Sequence, residues 1–282
     1  LDSLEDVERG QLARAIIECA ARGNDGWLPE GPGADLVNGV DQFLARAKAE
    51  SYADPEEVDH CLVCADRAFL SRDYGVASHI YSSVLIPTGE GDINLGQDEL
   101  VGDVLAADLN ACAARHAVSA YMMAEEGGRP GAVWKALVDL EAVSILHKPL
   151  KEMEKAAIEA LTGFNEFIAQ WRILIDERYR KKINEYRVCY LADWLREATL
   201  HDHGTAGLAE LARSTRRDDD LRAWCRELVA TGDWQGAYAA FVESARLVED
   251  KEWHRAHFLD GAALAARELG DRKSTRLNSS HR

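Results

Sequence analysis

The chain is poor in helix breakers and has no long apolar run. Only six of its 282 residues are proline, and convincing runs of alternating apolar and polar residues, the pattern of a half-buried strand, are absent. No apolar stretch approaches the roughly 18 residues that a membrane-spanning helix needs. No signal peptide is visible either. We therefore expect an all-α protein that does not contact a membrane.

Motifs for phosphate binding and for hydrolysis are also missing. No glycine directly precedes a lysine, so the chain has no P-loop. It contains no GxSxG nucleophile elbow and no HExxH zinc motif. Because none of these constellations is present, we expect a non-catalytic protein that needs no cofactor and no metal.

Basic residues are outnumbered by acidic ones. The chain has 33 Lys and Arg against 49 Asp and Glu, which gives a net charge of −16 at pH 7. A charge of this sign repels phosphate backbones. The basic residues between Arg178 and Arg187 are interrupted by acids, which is typical of a solvated helix face. We do not expect a nucleic acid partner.

Cysteines are few and scattered along helical segments. Such a distribution in a chain of this length does not resemble a disulfide framework, and it favours a reducing cytoplasm. The six cysteines are Cys19, Cys61, Cys64, Cys112, Cys189 and Cys225.

One pair of cysteines forms a CxxC motif, Cys61 and Cys64. A zinc site would need two further ligands at comparable spacing, and none follows. Thioredoxin-type chemistry would need a preceding strand, whereas Asp54 and Pro55 predict the start of a helix. We therefore predict that both thiols pack in the core.

Histidines offer a second possible site. His201 and His203 flank Asp202 at the end of a predicted helix, where imidazole can interact with free carbonyl groups. His116 lies beside an apolar stripe, which predicts a hydrogen-bonded packing role. An all-helical enzyme or a metal-binding protein that uses His201 and His203, or Cys61 and Cys64, remains the alternative to a non-catalytic protein.

Apolar residues recur with helical spacing along almost the whole chain. A glycine-rich loop is predicted from Pro87 to Gln97, before one long central helix. The predicted helices span 6–21, 35–50, 55–71, 74–85, 98–124, 131–146, 150–161, 165–184, 188–200, 205–214, 217–231, 234–248 and 251–269.

Two segments share one helical-hairpin pattern. In each, an Asp in the turn is followed by an aromatic residue, a small residue and a second aromatic residue on the next helix, and a small residue lies on the helix before. Small residues at these positions allow two helices to approach closely. The members are Ala65, Asp73, Tyr74, Ala77 and Tyr81 in the first segment, and Cys225, Asp233, Trp234, Ala237 and Phe241 in the second.

The second segment resembles the turn and second helix of the tetratricopeptide repeat (TPR) family. The first matches less closely, because Arg72 stands where the family has glycine. The resemblance implies stacked helical hairpins in an α-solenoid, whose concave groove binds a peptide or protein partner. On the matching positions, the groove-facing residues would be Asp59, Asp66, Arg222 and Arg226. The function implied is a non-catalytic scaffold for protein–protein interaction, either on its own or as an arm of a longer protein.

The chain ends suggest how it is organised. Residues 271–281 resemble a translated sequencing adapter, and the first residue is Leu rather than Met. We therefore expect truncated N-terminal helices in 1–52, a helical-repeat region with a long central helix in 53–200, TPR-like hairpins in 201–270 and a non-native tail in 271–282.

Overall fold

The computed structural model describes most of the chain from residue 33 onward. The predicted helix at 6–21 lies outside the described residues. The backbone is described for residues 33–96, 100–182, 189–248 and 252–279, and the side chains for 36–96, 100–181, 190–248 and 252–270.

The described residues form twelve α-helices, one short 3-10 helix and no strand. The prediction of an all-α protein is thus confirmed. The helices are α1 (Gly33–Glu50), α2 (Pro55–Leu70), α3 (Tyr74–Glu90), α4 (Val101–Val104), α5 (Leu109–Met123), α6 (Arg129–Asp139), α7 (Pro149–Ala156), α8 (Phe164–Lys182), α9 (Cys189–Thr215), α10 (Asp218–Ala230), α11 (Trp234–Leu247) and α12 (Glu252–Ser279).

Helix α2 begins where the sequence predicts. The carboxylate of Asp54 accepts a hydrogen bond of 2.9 Å from the amide of Glu56, and Pro55 occupies the first turn. Glu56 and Glu57 lie beside the positive end of the helix dipole. Because all of these contacts are local, the residues alone determine where the helix starts.

Helix α3 is longer than predicted, and the predicted loop from Pro87 is partly wrong. The helix continues through Pro87 to Glu90 and ends at Gly91, whose φ of 84° is left-handed. Proline removes one backbone hydrogen bond from a helix interior. Here Pro87 and Thr88 are buried, and the Thr88 hydroxyl donates a bond of 2.7 Å to the carbonyl of Val84. Burial and this bond support the last turn.

The predicted long central helix is wrong. Instead α4 ends at Val104, Leu105 is extended with ψ of 137°, and α5 begins after Asp108, which caps the amide of Ala111. The interruption is stabilised from another helix, because the carboxylate of Asp59 accepts bonds from the two backbone amides that follow Leu105. The prediction was wrong because apolar residues keep their helical spacing across the break between α4 and α5.

Helix α9 joins two predicted helices across a kink. Gly204 lies at the kink with φ of 62° and ψ of −156°, a conformation that L side chains rarely adopt. The predicted break between residues 200 and 205 therefore corresponds to a real change in backbone conformation.

The chain divides into two compact units, Leu1–Leu174 and Ile175–Arg282. We call them unit 1 and unit 2. In unit 1, α5 packs against α2, α3, α6 and α7, and it is buried along most of its length, from Leu109 to Tyr121. The predicted segment boundaries at 52 and 200 stay predictions.

In unit 2 each helix packs on the next one along the chain, α9 on α10, α10 on α11 and α11 on α12. The core between these helices is rich in small residues, including Cys225, Ala237 and Ala240, each with 0% exposure. Small side chains let helix axes approach closely, as the hairpin pattern predicts.

The turn between α2 and α3 closes α2 with a Schellman motif. The amide of Asp73 donates to the carbonyl of Ala68 at 2.9 Å, and the amide of Arg72 donates to that of Phe69 at 2.9 Å. Arg72 has φ of 63°, the left-handed conformation that this motif requires. The Asp73 carboxylate then caps α3 by accepting from the amide of Val76 at 3.1 Å.

The turn between α10 and α11 repeats this arrangement bond for bond. The amide of Asp233 donates to the carbonyl of Leu228 at 2.9 Å, and that of Gly232 donates to Val229 at 3.0 Å. Gly232 has φ of 73°, and Asp233 caps the amide of Gly236 at 2.9 Å. Both segments therefore form the same helix–turn–helix unit, and Arg72 adopts the conformation of the glycine that it replaces.

Replacing Gly232 with Ala is expected to lower the free energy of unfolding of unit 2 by about 1 kcal/mol, because a Cβ disfavours positive φ. The measurement is urea denaturation followed by circular dichroism. The matched control is Gly39→Ala in α1, where a Cβ would meet nothing within 4 Å and where alanine favours the helix. Equal effects of the two substitutions would contradict the assigned turn conformation.

Candidate functional site

An open groove lies between α1 and α2 in unit 1. Its volume is about 820 Å³, which is within the range of small-ligand and peptide-anchor pockets. Its apolar lining comes from Leu36, Val40, Phe43, Cys61 and Cys64. We call it the α1–α2 groove. Sequence reasoning missed it, because no local pattern indicates how far apart two helices lie.

The rim of the α1–α2 groove is polar. The Arg46 guanidinium donates a bond of 2.7 Å to Glu57 and lies 5.7 Å from the ring centre of Phe43. Glu56 and His60 also line the groove and are exposed. An apolar floor with a charged rim is the composition of a surface that anchors apolar side chains and orients them by charge.

The two thiols of the groove are poor nucleophiles. Burial raises the pKa of Cys61 to about 12, and the neighbouring Cys64 and Glu57 add to this shift. Burial also raises the pKa of Cys64, although Arg67 opposes the change. At neutral pH both groups are therefore protonated, whereas redox and nucleophilic chemistry need the thiolate. Both side chains are buried in the core, as predicted.

Asp59 and Asp66 on α2, which the sequence predicts to face the groove of an α-solenoid, form hydrogen bonds within the protein. Asp59 accepts bonds from the amides of Ala106 at 2.8 Å and Ala107 at 2.9 Å. Asp66 is 8% exposed, and its carboxylate accepts bonds from Tyr81 at 2.5 Å and Arg115 at 2.9 Å. Asp66 thus lies in the core, where it neutralises a buried guanidinium.

The groove candidates on α10 differ from each other. Arg222 lies 2.5 Å from a carboxylate oxygen of Asp218, and the other oxygen lies 2.7 Å from Nδ1 of His254 on α12. Arg226 is exposed on α10. The structure places Arg222 and Arg226 in unit 2 and Asp59 and Asp66 in unit 1.

The repeat-packing residues fall into two groups. The residues without exposed surface are Ala65, Ala77, Tyr81, Cys225 and Ala237. The aromatic residues Tyr74, Trp234 and Phe241 are half-buried.

Two of these aromatic residues have close partners on a neighbouring helix. Tyr74 packs edge to face on Phe69, with ring centres 5.7 Å apart. Phe241 lies so close to Gly261 of α12 that a Cβ there would be 2.4 Å from its ring. The glycine at that position therefore permits the close contact between α11 and α12.

The alternative site was predicted at the end of a helix. His201 and His203 are exposed, and His203 lies 3.4 Å from the carboxylate of Asp202. Among the residues that the structure describes, no group of three or more His, Cys, Asp or Glu side chains is arranged to hold a metal ion.

His116 has the predicted packing role. It is 4% exposed, and its Nδ1 lies 3.3 Å from the hydroxyl of Ser78. Burial lowers its pKa to about 4, with Asp139 opposing the shift and Lys135 adding to it. The ring is therefore neutral in the folded protein at pH 7.

The stability of unit 1 is expected to depend on His116 in acid. Because the pKa is about 4 in the folded chain and about 6.5 in an unfolded one, the unfolded state binds more protons between these values. The His116 contribution is present above pH 6.5 and is lost as pH falls toward 4, by up to about 3 kcal/mol. His116→Gln should flatten this part of the stability curve measured by urea denaturation. His79→Gln, at an exposed ion pair with Asp41, is the control for removing a histidine at the surface.

Comparison with known proteins assigns no family. No protein-family profile matches the chain, and neither curated proteins nor solved structures give a significant match. Within the described residues, no helix is long and apolar enough to cross a membrane. The fold and the groove define the class only as an all-α protein with an open, apolar-floored groove.

Proposed function

We propose that the protein is a non-catalytic, TPR-like helical-repeat scaffold that binds a protein or peptide partner. The two hairpins with matching turns, and the packing of each helix on the next in unit 2, support the repeat architecture. Pre-formed helical hairpins lower the entropy cost of binding. The free thiols at Cys61, Cys64 and Cys225 favour a reducing compartment, the cytoplasm.

The observation that carries the proposal is the α1–α2 groove. It combines an open apolar floor of about 820 Å³ with thiols whose raised pKa values make them poor nucleophiles. Such a surface is suited to binding apolar side chains rather than to nucleophilic catalysis. We place the partner in this groove and not at Asp59 or Asp66, because those carboxylates already bond within the protein.

A peptide library displayed on phage and selected against the full chain tests the proposal. Selected peptides should carry large apolar side chains. Phe43→Asp should weaken their binding at least tenfold, about 1.4 kcal/mol, because it places a charge on the apolar floor.

The matched control is Ile173→Asp, at a side chain that is 61% exposed and does not line the groove. It should leave peptide affinity unchanged. Circular dichroism of both variants establishes that they are folded. Selection of no peptide, or equal affinity of the two folded variants, would overturn the assignment of the groove.

A further inference from the structure

The α1–α2 groove contains two thiols that lie close together on one face of α2. Cys61 and Cys64 lie three residues apart on α2, and both line the groove. Residues at this spacing are neighbours on one helix face, with Cβ atoms about 5–6 Å apart. Cys64 also contributes to the raised pKa of Cys61, which reflects this proximity.

This separation disfavours a direct bond between the sulfurs. A disulfide requires Cβ atoms about 3.5–4.5 Å apart, so oxidation would have to distort α2. One atom inserted between the sulfurs relieves the mismatch, because two bonds to a bridging atom span a longer distance than one S–S bond. The geometry of α2 therefore favours a single atom bonded to both sulfurs over a disulfide bond.

The apolar side chains around the two thiols also favour a bridged product that has no net charge. Leu36, Val40 and Phe43 belong to the apolar floor of the groove. A free thiolate beside such side chains is costly. A centre that takes two thiolates and becomes neutral avoids this cost. Zinc is disfavoured because a structural zinc site needs four protein ligands, and the described residues contain no group of three or more His, Cys, Asp or Glu arranged as ligands.

We propose that Cys61 and Cys64 form a vicinal-dithiol site that binds one thiophilic centre of low coordination number, of the trivalent organoarsenic class. Binding breaks two S–H bonds and forms two S–As bonds. The oxygen of an arsenic oxide leaves with both protons as water, and no oxidation state changes. The product is neutral and lies against the apolar floor of the groove.

Phenylarsine oxide is the probe, and intact-mass spectrometry of the reduced full chain is the measurement. One phenylarsenic group per chain is expected, and Cys61→Ala or Cys64→Ala should abolish its stoichiometric binding. Cys112→Ala, at another buried thiol, should retain it. A small dithiol should remove the group, whereas a monothiol at the same concentration should not.

A second measurement on the wild-type chain does not depend on how the variants fold. After treatment with the probe, the protein is unfolded in urea, alkylated and mapped by peptide mass. Cys61 and Cys64 should be protected, whereas Cys112 and Cys225 should be alkylated. Protection of other cysteines, or the absence of stoichiometric binding, would overturn the proposal. The test uses no peptide, so its outcome is separate from that of the proposed function.

Discussion

Ala237→Arg is expected to unfold the α10–α11 hairpin. Ala237 has no exposed surface and lies in the core of unit 2 with Cys225 and Ala240. Arginine there must either force the helices apart or bury its charge without a partner. The substitution should cost about 4 kcal/mol or more, a large share of the stability of a domain of this size.

Thermal unfolding followed by circular dichroism measures this loss. The matched control is Ala239→Arg, the same substitution at an exposed position of α11, which should stay within about 0.5 kcal/mol of the wild type. A wild-type melting temperature for Ala237→Arg would show that the hairpin is not packed as described.

Asp66→Ala should destabilise unit 1 by about 3–5 kcal/mol. The substitution leaves the guanidinium of Arg115 buried, at 7% exposure, without the carboxylate that lies 2.9 Å away. Removing one member of a buried charge pair costs more than the net contribution of the intact pair. The hydroxyl of Tyr81 also loses its hydrogen bond to Asp66.

A double substitution separates the lost partner from lost packing. Asp66→Ala combined with Arg115→Met removes both charges, and it should recover much of the stability that Asp66→Ala loses in urea denaturation. Asp41→Ala, at an exposed ion pair with His79, serves as the control and should change stability by less than about 1 kcal/mol. Equal stability of Asp66→Ala and the wild type would contradict the buried pair.

The contrast between Asp54 and Asp59 explains which features could be predicted. Asp54 bonds an amide two residues away, so the start of α2 is readable from adjacent residues. Asp59 bonds amides more than 45 residues away, and no local pattern contains that information. The predicted long central helix was wrong for this reason, since the contact that interrupts it comes from α2.

The hairpins were predictable because their determinants are also local. Asp73 and Asp233 cap the helices that follow them, and Arg72 and Gly232 take the left-handed conformation that ends the helices before. Helix caps and left-handed turn residues act over only a few positions, so adjacent residues determine the backbone conformation there. The small residues at Ala65 and Ala237 likewise predicted burial, because only close helix contact explains their regular placement.

The sequence by itself determined the helical class, the two turns and the burial of Cys61 and Cys64, all of which depend on spacing and capping over one or two helical turns. Only the tertiary structure decided that Asp66 meets Arg115, which is 49 positions away, and that α1 and α2 leave an apolar groove between them. Those features depend on the distance between helices. Side chains of many separate segments set that distance, and no single segment encodes it.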